Sequence, residues 1–313
     1  MNREAQSPKP MTNLKKRQPR HQRRAVPKRM VLTDRDVAVV EAVFRGGALT
    51  QKQIELLFFS SPDTAGYRLE RLHDNGFLAR KFLFVQPGEG RSPTFYMMDR
   101  KGMELLREAK GHERKWYPTS LDVSDSYLRH CQIINNVWAA VGAASRTLGF
   151  TVEHWYTERE IKASYDHVGI RTARNELKSV AVVPDSVFSV IAYNYRFWFA
   201  LEADRGSEVG STWRDKVRAY NAWMDSGKFE ARYHDKRLRV ITVVRTRYSG
   251  LKRLANLKQV TEDEGGAKRF WFAPFEGIDL SRPESVFEDY VWQIATEDQP
   301  DRLLKPPIPR VNP

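Results

Sequence analysis

Between residues 33 and 111 the apolar positions recur at helical spacing in three runs, alternate in two strand-like ones, then return to helical spacing. Thr33 is placed to cap the first run, DRDVAVVEAVFRGG, where Val37, Val40, Val43 and Phe44 make one stripe and Asp34 and Asp36 sit at the positive end of the helix dipole. Gly46 and Gly47 end it. Thr50 caps the second run, QKQIELLFF, which turns Ile54, Leu57 and Phe58 inward. The third begins at Ser61-Pro62, proline being tolerated in a first turn, and stops at Asn75-Gly76. Its Ala65, Leu69 and Leu72 face the core, whereas Thr64, Tyr67, Arg68 and Arg71 line the opposite side. FLARKFLFVQ and TFYMMD read as strands joined by the turn PGEGRSP, and Arg100 to Lys110 as a closing helix.

Three helices and a hairpin in that order predict a winged helix-turn-helix over residues 31–111. The third helix would be its recognition helix, because hydroxyls mixed with arginines suit phosphates and guanine edges. Arg80, Lys81 and Arg91 of the wing would straddle the DNA backbone or enter the minor groove. Domains of this shape also dock proteins, with their charges solvated.

Residues 112–125 read as a linker and residues 126–298 as a second domain. A long amphipathic helix, Ser126 to Leu148, turns Cys131, Ile134, Trp138, Val141 and Leu148 inward. The strand TVEHWYTER follows, then a polar, basic segment to Lys178 that either clamps DNA or is a solvated loop. Two apolar, β-branched and aromatic runs, Val180 to Ala192 with Pro184-Asp185 inside it and Tyr195 to Leu201, read as neighbouring buried strands with a tight turn at Asn194. A helix over Ser211 to Asp225, marked by Trp213, Val217, Tyr220 and Met224, and the strand LRVITVV complete an αβββαβ order. The expected class is α+β, with a helix LKRLANLKQV and a strand RFWFAPF after that core and an extended, proline-rich tail at 299–313.

Charge narrows the partners. Of a formal net charge of +13, residues 1–30 carry +9, with ten Lys/Arg against one acidic residue. That stretch is nearly free of apolar residues and is expected to be disordered, either solvated or raising nucleic-acid affinity through counterion release. No apolar run approaches the roughly 20 residues of a membrane-spanning helix, so no membrane insertion is expected. A single cysteine, Cys131, excludes an intramolecular disulfide and a cysteine-rich zinc site, and the expected compartment is a reducing bacterial cytoplasm.

Candidate chemistry gathers at residues 180–220. Asp185 follows Pro184 in one apolar run, and Glu202 and Asp204 end the next, two residues apart and on one side of an extended chain. Carboxylates beside so much apolar surface are costly unless a cation pairs with them, and Mg²⁺ or Mn²⁺ would do so. Lys216 lies at the edge of the apolar face of the following helix, within reach of them. The alternative roles are ordinary ones: Asp185 a turn residue, Glu202 and Asp204 strand-end charges, Lys216 a snorkelling lysine. Glu158, near the end of the preceding strand, either joins the acidic cluster or is an exposed strand-end residue.

The order Pro-Asp, strand, Glu-x-Asp, helical lysine resembles a variant of the PD-(D/E)xK nuclease core, with Asp204 standing where the lysine of the motif normally is and Lys216 as its migrated substitute. With the N-terminal domain, the stretches PDSVFSV, FALEADRGSE and WRDKVRAY more closely resemble the replication-relaxation family, which includes the MOBC class of conjugative relaxases. The resemblance implies a restriction-endonuclease-like domain that holds metal on Asp185, Glu202 and Asp204 and uses Lys216 to stabilise charge on phosphate. It implies double-stranded DNA at a transfer origin as target, and accessory mobilisation proteins and a coupling protein as partners.

The seven histidines include no His-x-His pair of the commoner relaxases, and GxxxxGK[ST], GxGxxG and HExxH are absent. Two functions remain: a site-specific, metal-dependent nickase, and a DNA-binding replication or transcription regulator with a silent nuclease fold. Convergence of Asp185, Glu202 and Lys216 on one point favours the first; a buried Glu202–Lys216 salt bridge favours the second. The nucleophile is a water or a tyrosine, with Tyr193, Tyr195 and Tyr220 nearest in sequence.

Overall fold

The computed structural model describes residues 19–306 apart from 21, 86–90, 114, 173, 207–209 and 246–249, and is mixed α+β. Its N-terminal unit runs α1 (Asp34–Gly46), β1 (Ala48–Thr50), α2 (Gln51–Phe58), α3 (Pro62–Asp74), β2 (Leu78–Lys81), β3 (Phe95–Met98) and α4 (Arg100–Lys110). Thr33 and Asp36 close a capping box on α1, and Thr50 and Gln53 another on α2. The sheet has the order β1-β3-β2, all antiparallel. It packs Leu49, Leu78 and Tyr96 against Val39, Val40, Ile54, Leu69 and Leu72 of the helices.

Arg68 departs from its expected role on a DNA-reading face. Its guanidinium is turned inward and grips both oxygens of Asp36, with Nε 3.0 Å from Oδ1, while Asp36 itself is fully buried. The arginine therefore pins α3 to the first turn of α1. Arg68→Ala leaves that carboxylate without its cation and is expected to lower unfolding stability by about 3 kcal/mol in chemical denaturation. A change in DNA sequence preference at unchanged stability would contradict this assignment.

The end of the basic tail is not free. Arg23 donates to the carbonyls of His73 (2.7 Å) and Leu78 (3.3 Å) and pairs with Asp99, and Arg24 pairs with Glu70 (2.6 Å) and Asp74 (3.3 Å). Acidic side chains on α3 and ahead of α4 thus hold residues 22–30 as an arm along the domain. Residues 1–18 of the expected tail lie outside the described residues.

The second unit starts with α5 (Asp125–Leu148) and continues β4 (Thr151–Thr157), α6 (Glu158–Ala163), β5 (Asp166–Arg171), β6 (Leu177–Val182), β7 (Ser186–Ala192), β8 (Tyr195–Asp204), α7 (Gly210–Asp225), α8 (Lys228–Tyr233), β9 (Leu238–Val244), α9 (Gly250–Asp263), β10 (Phe270–Pro274), α10 (Ser285–Glu288) and β11 (Gln293–Ile294). Its main sheet has the order β11-β10-β9-β8-β7-β4, with β8, β9 and β10 mutually parallel. On one face Ile133, Val137 and Val141 of α5 meet Phe188, Phe199 and Ile241; on the other Trp213, Val217 and Leu254 meet Ala200, Val240 and Phe272. Tyr193 and Asn194, both at positive φ, make the two-residue turn between β7 and β8.

Three expectations need correction. The run Val180 to Ala192 is not one strand: proline at 184 has no N–H to continue a ladder, so β6 pairs with β5 in a separate hairpin and only β7 enters the main sheet. The basic segment 159–178 is accordingly not a loop but α6 and most of that hairpin. Nor does the chain leave the body at residue 299, because Asp301 bridges Trp292 and the apolar pair Leu303 and Leu304 is buried in the core; residues 307–313 lie outside the described residues.

Candidate functional site

The β7–β8 hairpin fixes the first two carboxylates. Its register pairs Ser186 with Leu201, so Asp185, one residue further out, stands across from Glu202. The Asp185 amide donates to the Leu201 carbonyl (3.1 Å), and the Ala203 amide donates to Asp185 Oδ2 (2.7 Å). The side chain is thereby pinned at the strand's end.

Glu202 is 4% exposed and faces α7. Lys216 Nζ donates to its Oε2 (2.8 Å) and the Tyr220 hydroxyl to its Oε1 (2.6 Å), the donors being one helical turn apart. Burial pushes its carboxyl up to about 7; Lys216 opposes that and the charge of Asp185 adds to it. Asp204, at 2% exposure, is gripped by Arg253 through two bonds of 3.0 Å and takes the Gly206 amide (3.1 Å). The expected metal set of Asp185, Glu202 and Asp204 does not assemble, since each of the last two is committed to its own cation.

A different group does. Among the described residues, His130, Glu158 and Asp185 are the one group of three whose ligand atoms lie within 4.8 Å of one another. His130 comes from the exposed-to-buried edge of α5, Glu158 from the first position of α6, and Asp185 from the start of β7. His130 Nε2 is 3.3 Å from Asp185 Oδ1, and its buried Nδ1 has no hydrogen-bond partner among the described residues. Burial alone would lower the imidazole's pKa, but the hydrogen bond to Asp185 and that carboxylate's charge outweigh it and raise it.

The group lines a cavity of about 190 Å³ between the two units, walled also by Gly46, Gly47, Tyr127 and Arg159. Gly47 is needed there: its φ is +74°, and a Cβ would lie 2.3 Å from the Tyr127 hydroxyl. The thiol of neighbouring Cys131 is buried, which pushes its pKa up to about 11. The tyrosines nearest in sequence serve other ends. Tyr220 holds Glu202, Tyr193 packs edge-on to Phe150, and Tyr195 is exposed at the hairpin turn.

The outer face of α3 keeps Thr64, Tyr67 and Arg71. Tyr67 is 52% exposed, and Arg71 donates to its hydroxyl (2.7 Å) and to the Arg29 carbonyl of the arm (3.0 Å). Arg80 lies over the Tyr96 ring and donates to the Arg20 carbonyl (3.3 Å), Lys81 is half-buried, and Arg91 is exposed.

The family model for replication-relaxation proteins matches residues 43–238, from the second half of α1 to the first residue of β9. The chain belongs to the replication-relaxation family. No curated protein and no solved structure matches it. In this replication-relaxation chain the matched span holds His130, Glu158, Asp185, Glu202, Asp204 and Lys216, and membership suggests a role in replication or mobilisation. Among the described residues no helix is long and apolar enough to cross a membrane. Sequence reasoning missed His130, whose only sequence signal is a lone histidine one turn after Tyr127 on an amphipathic helix.

Proposed function

We propose that this replication-relaxation protein is a metal-dependent DNA nickase acting at the transfer origin of a plasmid or integrative element. The N-terminal unit would act as a winged helix-turn-helix and the second as a PD-(D/E)xK-like domain. The observation that carries the reading is the gathering of His130, Glu158 and Asp185 in one cavity, beside the Glu202–Lys216 pair. One imidazole and two carboxylates fit a divalent ion, and the nitrogen donor favours Mn²⁺ over Mg²⁺. Such an ion would polarise a phosphoryl oxygen and lower the pKa of a bound water. The chain's own residues then have separate tasks. The Ala203 amide keeps Asp185 in place, Lys216 puts a positive charge on Glu202 across the hairpin from it, and the arm with Tyr67 and Arg71 holds the DNA backbone.

The reading also implies accessory mobilisation proteins, a coupling protein and a bacterial cytoplasm. Conversion of supercoiled plasmid to open circles tests it. With Mn²⁺ present, a plasmid carrying the element's origin is nicked and the same plasmid without it is not; DNA that is bound yet never cut, with partner proteins supplied, contradicts it. A second reading, a regulator with a silent centre, is favoured by one observation: Lys216 is already bound to buried Glu202.

A further inference from the structure

At the opposite end of the main sheet, where the parallel strands β8, β9 and β10 begin, there is a second cavity of about 470 Å³. Six cations line it, Arg196, Lys236, Arg237, Arg239, Lys268 and Arg269, and no carboxylate does. Its apolar side chains are Phe197, Trp198, Met224 and Leu238. Four of the cations pair with acids outside the cavity: Arg196 with Glu153, Lys236 with Glu230, Arg237 with Asp235 and Lys268 with Glu297.

Arg239 and Arg269 do not. Arg239 lies between the rings of Phe197 (5.3 Å) and Trp271 (4.8 Å), donates to the Leu303 carbonyl, and has no carboxylate in ion-pair range among the described residues. Burial pushes its guanidinium down to about 10, with the more distant charge of Asp301 opposing that and the neighbouring Arg237 adding to it. Arg269 makes one long bond, to Asn221 Oδ1 (3.5 Å). Trp198 is 4% exposed, and its indole N–H, which can only donate, is buried without a partner among the described residues.

Two arginines with no carboxylate in ion-pair range and an indole N–H with no acceptor, beside aromatic surface, suit an anion that carries a flat ring. We propose that this cavity binds a nucleotide, its phosphate on Arg239 and Arg269 and its base against the apolar floor. The cavity is of small-molecule size, roughly the 300–1,000 Å³ such sites have, so it takes single nucleotide units and not a duplex. Arg239, Lys268 and Arg269 lie beyond the family-matched residues. The inference is independent of nicking and would stand if the metal centre were silent.

The test uses the full chain with two ligands, thymidine monophosphate and a labelled single-stranded dT12, and three variants. Arg269→Glu reverses a half-buried charge without touching the core, Trp198→Phe removes the indole N–H, and Arg282→Glu is a charge-reversal control outside the cavity. We expect binding to weaken at least tenfold in Arg269→Glu and severalfold in Trp198→Phe, and to change less than twofold in the control. Response of both ligands, or of the strand alone, identifies a nucleic-acid strand as the source; response of the monophosphate alone identifies a free nucleotide. The proposal is overturned if neither ligand binds, or if the control loses as much as Arg269→Glu.

Discussion

On the proposed function, Asp185→Asn is expected to lower the rate of plasmid nicking about a thousandfold or more and to leave DNA affinity within about twofold of wild type. The substitution keeps the side chain's shape and an oxygen for the Ala203 amide, so β7 and β8 stay in register. What it removes is the negative charge that faces both His130 and the Glu202 pair, and with it one of the three proposed metal donors. Groups that stabilise charge only in the transition state contribute several kcal/mol each, which is the origin of the magnitude. DNA contacts are expected elsewhere, on α3 and the arm, so Arg71→Ala gives the reverse pattern: binding weakens by about 1–3 kcal/mol and the nicking rate of bound DNA is kept. Single-turnover nicking with anisotropy binding separates the two. Equal losses in both assays for both variants would sink this division of labour.

Glu202→Gln, assayed without metal, becomes more stable relative to wild type as pH rises from 4.5 to 8, by about 3 kcal/mol. The sign follows from the direction of the shift. Burial holds the folded-state pKa of Glu202 near 7, above its ordinary 4.5, so the stabilising protonated form is fully present below 4.5 and is lost as pH rises through 7. Glutamine keeps one acceptor oxygen for Lys216 and turns its amide N–H toward the Tyr220 hydroxyl, which can accept, without that titration. Urea denaturation at pH 4.5 and pH 8 measures the difference. A variant less stable than wild type at pH 8 would mean that the Lys216 salt bridge is a firm structural pair, as the silent-centre reading requires. A carboxyl that costs stability at neutral pH is instead what functional sites retain.

The helices of the N-terminal unit were legible because their signals are local: Thr33 and Thr50 cap, Pro62 starts a helix, and Gly47 ends one. The β7–β8 hairpin was legible too, since its apolar runs are long and Asn194 marks the turn. Glu202 and Lys216 pair within the reach that their spacing implied, with Asp185 across the hairpin from Glu202. The gathering of His130, Glu158 and Asp185 was not legible, because it depends on partners remote in sequence. Arg253 removes Asp204 from 49 residues away, and His130 joins Asp185 from another helix. Arg68 misled for the same reason: on helical spacing it faces outward, yet a buried Asp36 32 residues earlier draws it in. Glu158 kept its place in the cluster although the strand ends before it, because Thr157 caps a new helix at that point.

Direct measurement of where a metal binds bears most closely on the account. Titration of Mn²⁺ followed by electron paramagnetic resonance at pH 8 is expected to give one site per chain in wild type, lost in His130→Ala and Asp185→Asn and retained in Glu202→Gln. Its affinity falls as pH falls, because His130 must give up its proton to bind. A site lost in Glu202→Gln and kept in His130→Ala would put the metal on the strand-end carboxylates and contradict the cluster of His130, Glu158 and Asp185.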